Sequence, residues 1–178
     1  MKTYIILLRG LMPTGKNKVL MTPLRQVLVD AGFVDVRTYI QSGNVLARST
    51  LTGSQVEKVV HHEIEKHFGG DIVVLARTSL QVRQIFADNP FKDADTAKLY
   101  FTILESKPAQ EKIKLLAGHT FLPDTFVVTN KAVYIHCPVA YGLTKLNNNF
   151  IERTLGVSAT TRNYRTMAKL IELSDAPS

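Results

Sequence analysis

Short apolar runs rich in β-branched residues alternate along this chain with segments whose apolar residues recur three and four positions apart. "TYIILL" (3–8), "VDVRTYI" (34–40), "NVLARS" (44–49) and "IVVLA" (72–76) read as strands, separated by turn residues such as Ser42-Gly43-Asn44. Between them Leu24, Val27, Leu28 and Ala31 form a helical stripe, with Thr22 the expected N-cap, Pro23 at the first helical position and Gly32 at the stop. Val56, Val59, Val60 and Ile64 form a second stripe, which Ser54 and Glu57 should open as a capping box and Gly69-Gly70 should end. The predicted order is strand, helix, strand, strand, helix, strand.

The second half repeats that order without evident sequence identity. A helix near 80–87 and the turn-rich "DNPFKDAD" lead to a strand "KLYFTIL", a helix at 108–117, strands "TFVVT" and "AVYIHC" around an Asn130-Lys131 turn, a helix at 145–155 ended by Gly156, an extended "SATT" and a helix at 164–172. With helices also at 22–31 and 54–68, the pattern predicts an α+β fold. We expect two ferredoxin-like βαββαβ subdomains at 1–78 and 98–178, joined by a helix and loop at 79–97 and packed as one compact unit.

A chain of 178 residues, 45% hydrophobic and 21% charged, is long enough to bury such a core. The apolar run after Met1 is short and interrupted by Arg9, so neither a signal peptide nor a membrane span is expected, and the predicted compartment is the cytoplasm. A lone Cys137 fits a reducing location. The net charge of +7 favours anionic partners. Eleven basic residues stand against seven acidic in 1–89 and eleven against eight in 90–178, so the excess is spread over the fold and is not a tail.

"RGLMPTGKNK" (9–18) resembles a phosphate-gripping P-loop, with Gly10, four residues, then Gly15 and Lys16. Asn17 nevertheless stands where the magnesium-binding hydroxyl belongs, and the next helix begins several residues too late, so a Gly-containing surface loop is expected. "HEIEKH" (62–67) is one residue longer than a zinc-protease motif, which turns its two histidines to different sides of a helix. No metal site and no cofactor are expected, and Cys137 reads as a buried, inert thiol. No catalytic residue is nominated.

Three predicted helices begin with cations where the positive end of the helix dipole disfavours them: Arg25 after Thr22, Lys145 after Thr144, and Arg162 with Arg165 around Asn163. Each such placement costs about 0.3–1 kcal/mol when exposed at low salt, and a bound anion would reverse the sign. We expect the loop after the first strand and the "QSGN" hairpin to lie at opposite ends of their sheet. An anion is then expected at Arg162 and the Asn163 helix start, with Lys145 and an N-terminal loop cation nearby.

"LLRG" (7–10), "GKNKV" (15–19), "RTYIQSGNVL" (37–46) and "TKLNNNFIERTLGVSATTRNYRTMAKLIEL" (144–173), in that order, resemble the bacterial family catalogued as domain of unknown function 1697. The resemblance spans nearly the whole chain. It implies an α+β protein with ferredoxin-like subdomains, a bacterial cytosolic origin and no assigned activity. Arg9, Gly10, Gly15, Lys16, Asn17, Ser42, Gly43, Asn44, Lys145, Thr161, Arg162 and Asn163 fall on its signature positions. Leu11, Met12, Pro13 and Thr14 depart from it, replacing a stretch like Ile-Asn-Val-Gly.

Two classes of function stay open. One is a binding module whose basic loops, through Arg9, Lys16, Asn17, Ser42, Asn44, Lys145, Arg162 and Asn163, hold a phosphate- or carboxylate-bearing small molecule or nucleic acid. The other is a small-molecule enzyme with Arg9, Lys16, Ser42 and Asn44 as substrate anchors. The aromatic string of an RNA-recognition sheet is missing: Tyr39, Tyr100 and Phe101 are isolated and read as core residues. No membrane partner is expected, and the oligomeric state is left open.

Overall fold

The computed structural model describes residues 1–176 and contains two four-stranded antiparallel sheets with six helices. The last two residues of the predicted second subdomain, 177 and 178, lie outside the described residues. The chain divides into two units, Met1–Arg83 with the stretch from Leu170, and Gln84–Lys169.

In the first unit the elements run β1 (Lys2–Arg9), α1 (Met21–Asp30), β2 (Val34–Tyr39), β3 (Asn44–Ser49), α2 (Gly53–Phe68) and β4 (Val73–Thr78), followed by α3 (Ser79–Ala87), within which the division of the chain falls. The sheet order is β2-β3-β1-β4, the ferredoxin-like arrangement. One face of the sheet presents Tyr4, Ile6, Leu8, Val45, Ala47 and Val74 to Leu24 and Leu28 of α1 and Val56, Val60 and Ile64 of α2. Ile5 and Leu7 on the other face of β1 are buried as well, which explains an unbroken apolar run where a half-buried strand would alternate.

Two helix starts differ from expectation. The residue capping α1 is Leu20, which offers no side-chain acceptor, and Thr22 lies inside the helix. α2 opens on a capping box formed by Thr52 and Gln55, two residues before the expected pair: the Thr52 amide donates to Gln55 Oε1 at 2.9 Å. Glu57 reaches instead to β4, accepting from the Ala76 amide at 2.9 Å and from Arg77 Nη1 at 3.0 Å. The stop at Gly69, in a left-handed conformation, is as the sequence predicts.

The second unit contains β5 (Leu99–Leu104), α4 (Gln110–Ala117), β6 (Thr125–Val128), β7 (Ala132–His136), α5 (Asn148–Leu155), β8 (Ala159–Asn163) and the start of α6 (Tyr164–Asp175). Its sheet order, β6-β7-β5-β8, repeats that of the first. Leu104, Val133, Ile135 and Ala159 pack on Ile113 and Leu116 of α4 and Ile151 and Leu155 of α5. On the opposite sheet face Phe101 lies within ring-stacking distance of Phe86 and edge-on to Tyr134, whose hydroxyl donates to the Ile85 carbonyl at 2.9 Å. Tyr100, on the helix side, stacks on Tyr141 at 4.5 Å. Tyr100 and Phe101 are therefore engaged by other rings of their own unit.

Candidate functional site

In the first unit β1 and β3 are antiparallel neighbours, with Leu7 opposite Asn44 and Lys2 opposite Ser49. This register puts the loop after β1 and the hairpin before β3 at the same end of the sheet, which corrects the expectation of opposite ends. When a strand ends where its antiparallel neighbour begins, the loop leaving one and the turn entering the other must adjoin.

Three ties fix this end. The Leu8 amide donates to the Gly43 carbonyl at 2.8 Å, and Gln41 Nε2 donates to the Val19 carbonyl at 2.7 Å. The third tie joins the β1–α1 loop to the approach of β4: the Asp71 amide donates to Asn17 Oδ1 at 3.2 Å. Within the loop the Met12 amide reaches the Asn17 carbonyl at 2.9 Å, and the chain turns at Gly15 with φ of +78°. A β-carbon at Gly70 would stand 2.8 Å from the Lys16 carbonyl, so the two backbones are in close contact there.

Of the residues read from the sequence, Arg9, Lys16, Asn17, Ser42 and Asn44 are thus gathered at one end of one unit. Their roles differ. Lys16 is exposed, and its ammonium makes no hydrogen bond or ion pair among the described residues. Arg9 is half-buried at the end of β1. Asn17 is a tie between loops. Asn44 is fully buried, and its amide donates to the Tyr39 carbonyl and to Ser42 Oγ, both at 3.0 Å, closing the hairpin. Lys18, Gln41 and Asp71 complete this end and were not singled out from the sequence. The repeated Lys-Asn-Lys of residues 16–18 is the one local signal that marks Lys18.

The second group does not have the predicted form. Lys145 is not at a helix start: Thr144 follows a single 3₁₀ turn at Tyr141–Leu143, and α5 begins at Asn148 with Asn147 as its cap. Nor is Arg162 at a helix start; it lies in β8 opposite Phe101. Its Nη1 donates to Thr160 Oγ1 at 2.7 Å and to the Thr161 carbonyl at 2.9 Å, and loss of water around the guanidinium pulls its pKa down to about 10. Asn163 does open α6, its Oδ1 accepting from the Thr166 amide at 2.8 Å. Arg25 stands five residues into α1, beyond the first turn. Of the basic helix starts, the first turn of α6 with Arg165 remains.

The polar strings around these residues satisfy backbone groups. Asn147 Oδ1 accepts from the Phe150 amide at 3.0 Å, and Asn148 Nδ2 donates to the Ala159 carbonyl at 3.0 Å. Thr161 Oγ1 joins Asn148 Oδ1 at 2.9 Å, Thr102 Oγ1 at 2.8 Å and the Tyr141 hydroxyl at 3.2 Å. Burial raises the Tyr141 pKa, so the phenol stays protonated in this chain of donors.

At the equivalent end of the second unit the Leu104 amide donates to the Lys131 carbonyl at 3.0 Å, the counterpart of the Leu8–Gly43 bond. The Glu105 amide donates to the Ser158 carbonyl at 2.8 Å beside an open hollow of about 600 Å³ whose charged residues are Glu105, Glu152 and Arg153. In the first unit the same position in the fold carries Arg9, Lys16 and Lys18 against Asp71.

Neither of the chemical motifs weighed in the sequence provides a catalytic site here. Helix α1 starts at Met21, after an extended segment and within an antiparallel sheet, and Asn17 is used as an acceptor for Asp71, so the Gly10–Lys16 loop is not a P-loop. Glu63 holds His67 at 3.2 Å along α2, and His61 Nδ1 lies 2.9 Å from the Ile72 carbonyl. Among the described residues no helix is long and apolar enough to cross a membrane.

The model of the family described as "Protein of unknown function (DUF1697)" matches residues 1–134, and the chain belongs to that family. The matched residues include the whole loop end of the first unit and stop short of Lys145, Arg162 and Asn163. Among solved structures, the chain is similar to the conserved bacterial protein SP0830 from Streptococcus pneumoniae, at 20% identity over 98% of this chain and 99% of that one, with a TM-score of 0.79. No curated protein matches the chain.

Proposed function

We propose that the protein is a binding module and that the loop end of its first unit, around Arg9, Lys16, Asn17 and Ser42, holds a phosphate- or carboxylate-bearing ligand. The observation that carries this reading is the 2.8 Å bond from the Leu8 amide to the Gly43 carbonyl, which fastens two polar loops into one surface. Lys16 and Lys18 add positive charge that no carboxylate among the described residues neutralises by an ion pair, and Gly10 and Gly15 in the same loop are exposed.

Ser42 Oγ takes a hydrogen bond from the Asn44 amide at 3.0 Å, which fixes the hydroxyl at the turn. In the second unit, Phe86 and Tyr134 pack on Phe101 over that unit's own sheet face, the face on which an RNA-recognition domain stacks bases, so a nucleic-acid strand is sought at the loops. Titration with pyrophosphate, citrate and a fluorescent single-stranded oligonucleotide, at roughly 50 and 200 mM salt, tests the proposal. Saturable binding of any of the three that Lys16→Gln weakens supports it, and a steep loss of oligonucleotide affinity with salt identifies nucleic acid. Absence of binding by all three, or binding indifferent to Lys16→Gln and Lys18→Gln together, removes it.

A further inference from the structure

The second unit carries a separate cavity of about 360 Å³ at the end of its sheet where β6 begins and β7 finishes, within the 300–1,000 Å³ usual for small-ligand pockets. Its lining combines Phe121, Leu122 and Asp124 from the loop before β6 with Val139, Leu143 and Lys145 from the loop after β7. Leu122, Val139 and Leu143 are 78%, 60% and 77% exposed, an unusual concentration of large apolar side chains at the mouth of one cavity. The pairing of Thr125 with His136 sets Asp124 beside Cys137.

The charges are the informative feature. Asp124 and Lys145 line the same cavity, yet they form no ion pair with each other, and neither has another ion pair among the described residues. A carboxylate has two oxygens and about four acceptor sites, enough to take a ligand ammonium. A cavity with one carboxylate, one ammonium and an apolar rim complements a zwitterion that has an apolar side group.

We propose that this cavity binds a free amino acid with a branched apolar side chain, its ammonium at Asp124, its carboxylate at Lys145 and its side chain against Leu122, Val139 and Leu143. The proposal is independent of the anion site in the first unit. Lys145, expected from the sequence to start a helix and hold an anion with Arg162, takes its role here from the loop that carries it.

The test is a titration of ¹⁵N-labelled protein with L-leucine, 4-methylpentanoate and 3-methylbutylamine, followed by amide shifts. Leucine should saturate, moving amides of residues 120–124 and 139–145. Each singly charged analogue should bind about ten-fold more weakly, the loss expected when one charge-assisted hydrogen bond is removed. Lys145→Gln should weaken leucine about ten-fold while leaving 3-methylbutylamine unchanged, because that analogue has no carboxylate to lose. Leu143→Ser, at an exposed position that the fold does not depend on, should weaken all three. Saturable shifts confined to other residues, no saturable shift, an analogue that equals leucine, or a Lys145→Gln protein that binds leucine as the parent does would each overturn the proposal.

Discussion

The Leu8 amide donates to the Gly43 carbonyl at 2.8 Å, with Gly43 at φ of +83°, so the end of β1 and the tip of the β2–β3 hairpin are joined backbone to backbone. A β-carbon at Gly43 would stand 2.8 Å from Leu8 Cβ and 3.1 Å from the Leu8 carbonyl oxygen, in a conformation L side chains rarely adopt. Gly43→Ala should therefore destabilise the protein by about 2–5 kcal/mol, combining the left-handed penalty with overpacking. Gly15→Ala, also at positive φ but with no atom within 4 Å of the added carbon, should cost only about 1–2 kcal/mol. Denaturant melts compare the two directly, and equal losses would mean that the contact of hairpin and β1 is not tight.

Asn44 is a buried polar residue whose amide serves the Tyr39 carbonyl and Ser42 Oγ. Asn44→Ala removes the donor from both acceptors, and because Ser42 is exposed and Tyr39 half-buried water can replace part of what is lost, so the expected cost is about 0.5–1.5 kcal/mol for each bond. The same melts check this. A loss under about 0.5 kcal/mol, the range of surface substitutions, would show that the hairpin closes without it.

The capping box of α2 gives a discriminating pair. Thr52→Ala should cost about 1 kcal/mol, because Thr52 Oγ1 takes the Gln55 amide, whereas exposed Ser54→Ala should be within about 0.5 kcal/mol of neutral. Glu57→Ala should cost more than either, about 1.5–3 kcal/mol, through its lost bonds to Ala76 and Arg77. Thermal melts should rank the losses with Glu57→Ala largest, Thr52→Ala next and Ser54→Ala smallest.

Cys137 is fully buried, and burial pushes its thiol from an ordinary 9.0 up to about 12, with Asp124 adding in the same direction. In the unfolded chain the thiol loses its proton above pH 9, while in the folded protein it keeps it to about 12. The stability the neutral thiol contributes is thus complete below pH 9 and declines as the pH rises to about 12, with a slope of up to about 1.4 kcal/mol per pH unit. Tyr134, raised from 10.0 to about 12, acts in the same direction over a narrower window. Cys137→Ala should flatten the alkaline limb of a stability-against-pH curve without removing it. A native thiol that reacts quickly with a thiol-specific reagent at neutral pH would contradict the burial on which this rests.

Much of this architecture is legible in the residue pattern, and what is not has identifiable causes. The strands of both units and the helix stops at Gly69 and Gly156 follow from β-branched runs and left-handed glycines. Helix starts are harder where cap-forming residues cluster: Thr52 and Ser54 each stand three residues before a Gln or Glu, and the "TKLNNN" string offers Thr144 and Asn147 as rival caps. Side chains that pack or bond to another element decide between them, as Glu57 does by reaching β4. The juxtaposition of the β1–α1 loop with the "QSGN" hairpin is not local at all. It depends on the pairing of β1 with β3, two strands separated by a helix and a third strand. Arg162, read from the sequence as part of a helix start, lies instead in β8, where it bonds to Thr160 and Thr161 among others.

The central claim is that the anion site is the loop end of the first unit, and amide-shift mapping with pyrophosphate tests it most directly. The predicted result is saturable shifts at Gly10, Gly15, Lys16, Asn17, Ser42 and Gly43, lost in the Lys16→Gln, Lys18→Gln double variant while its melting curve is unchanged, since both side chains are exposed and make no ion pair among the described residues. Shifts centred on Asn163 to Thr166 at the start of α6, or no saturable shift in the first unit, would contradict it.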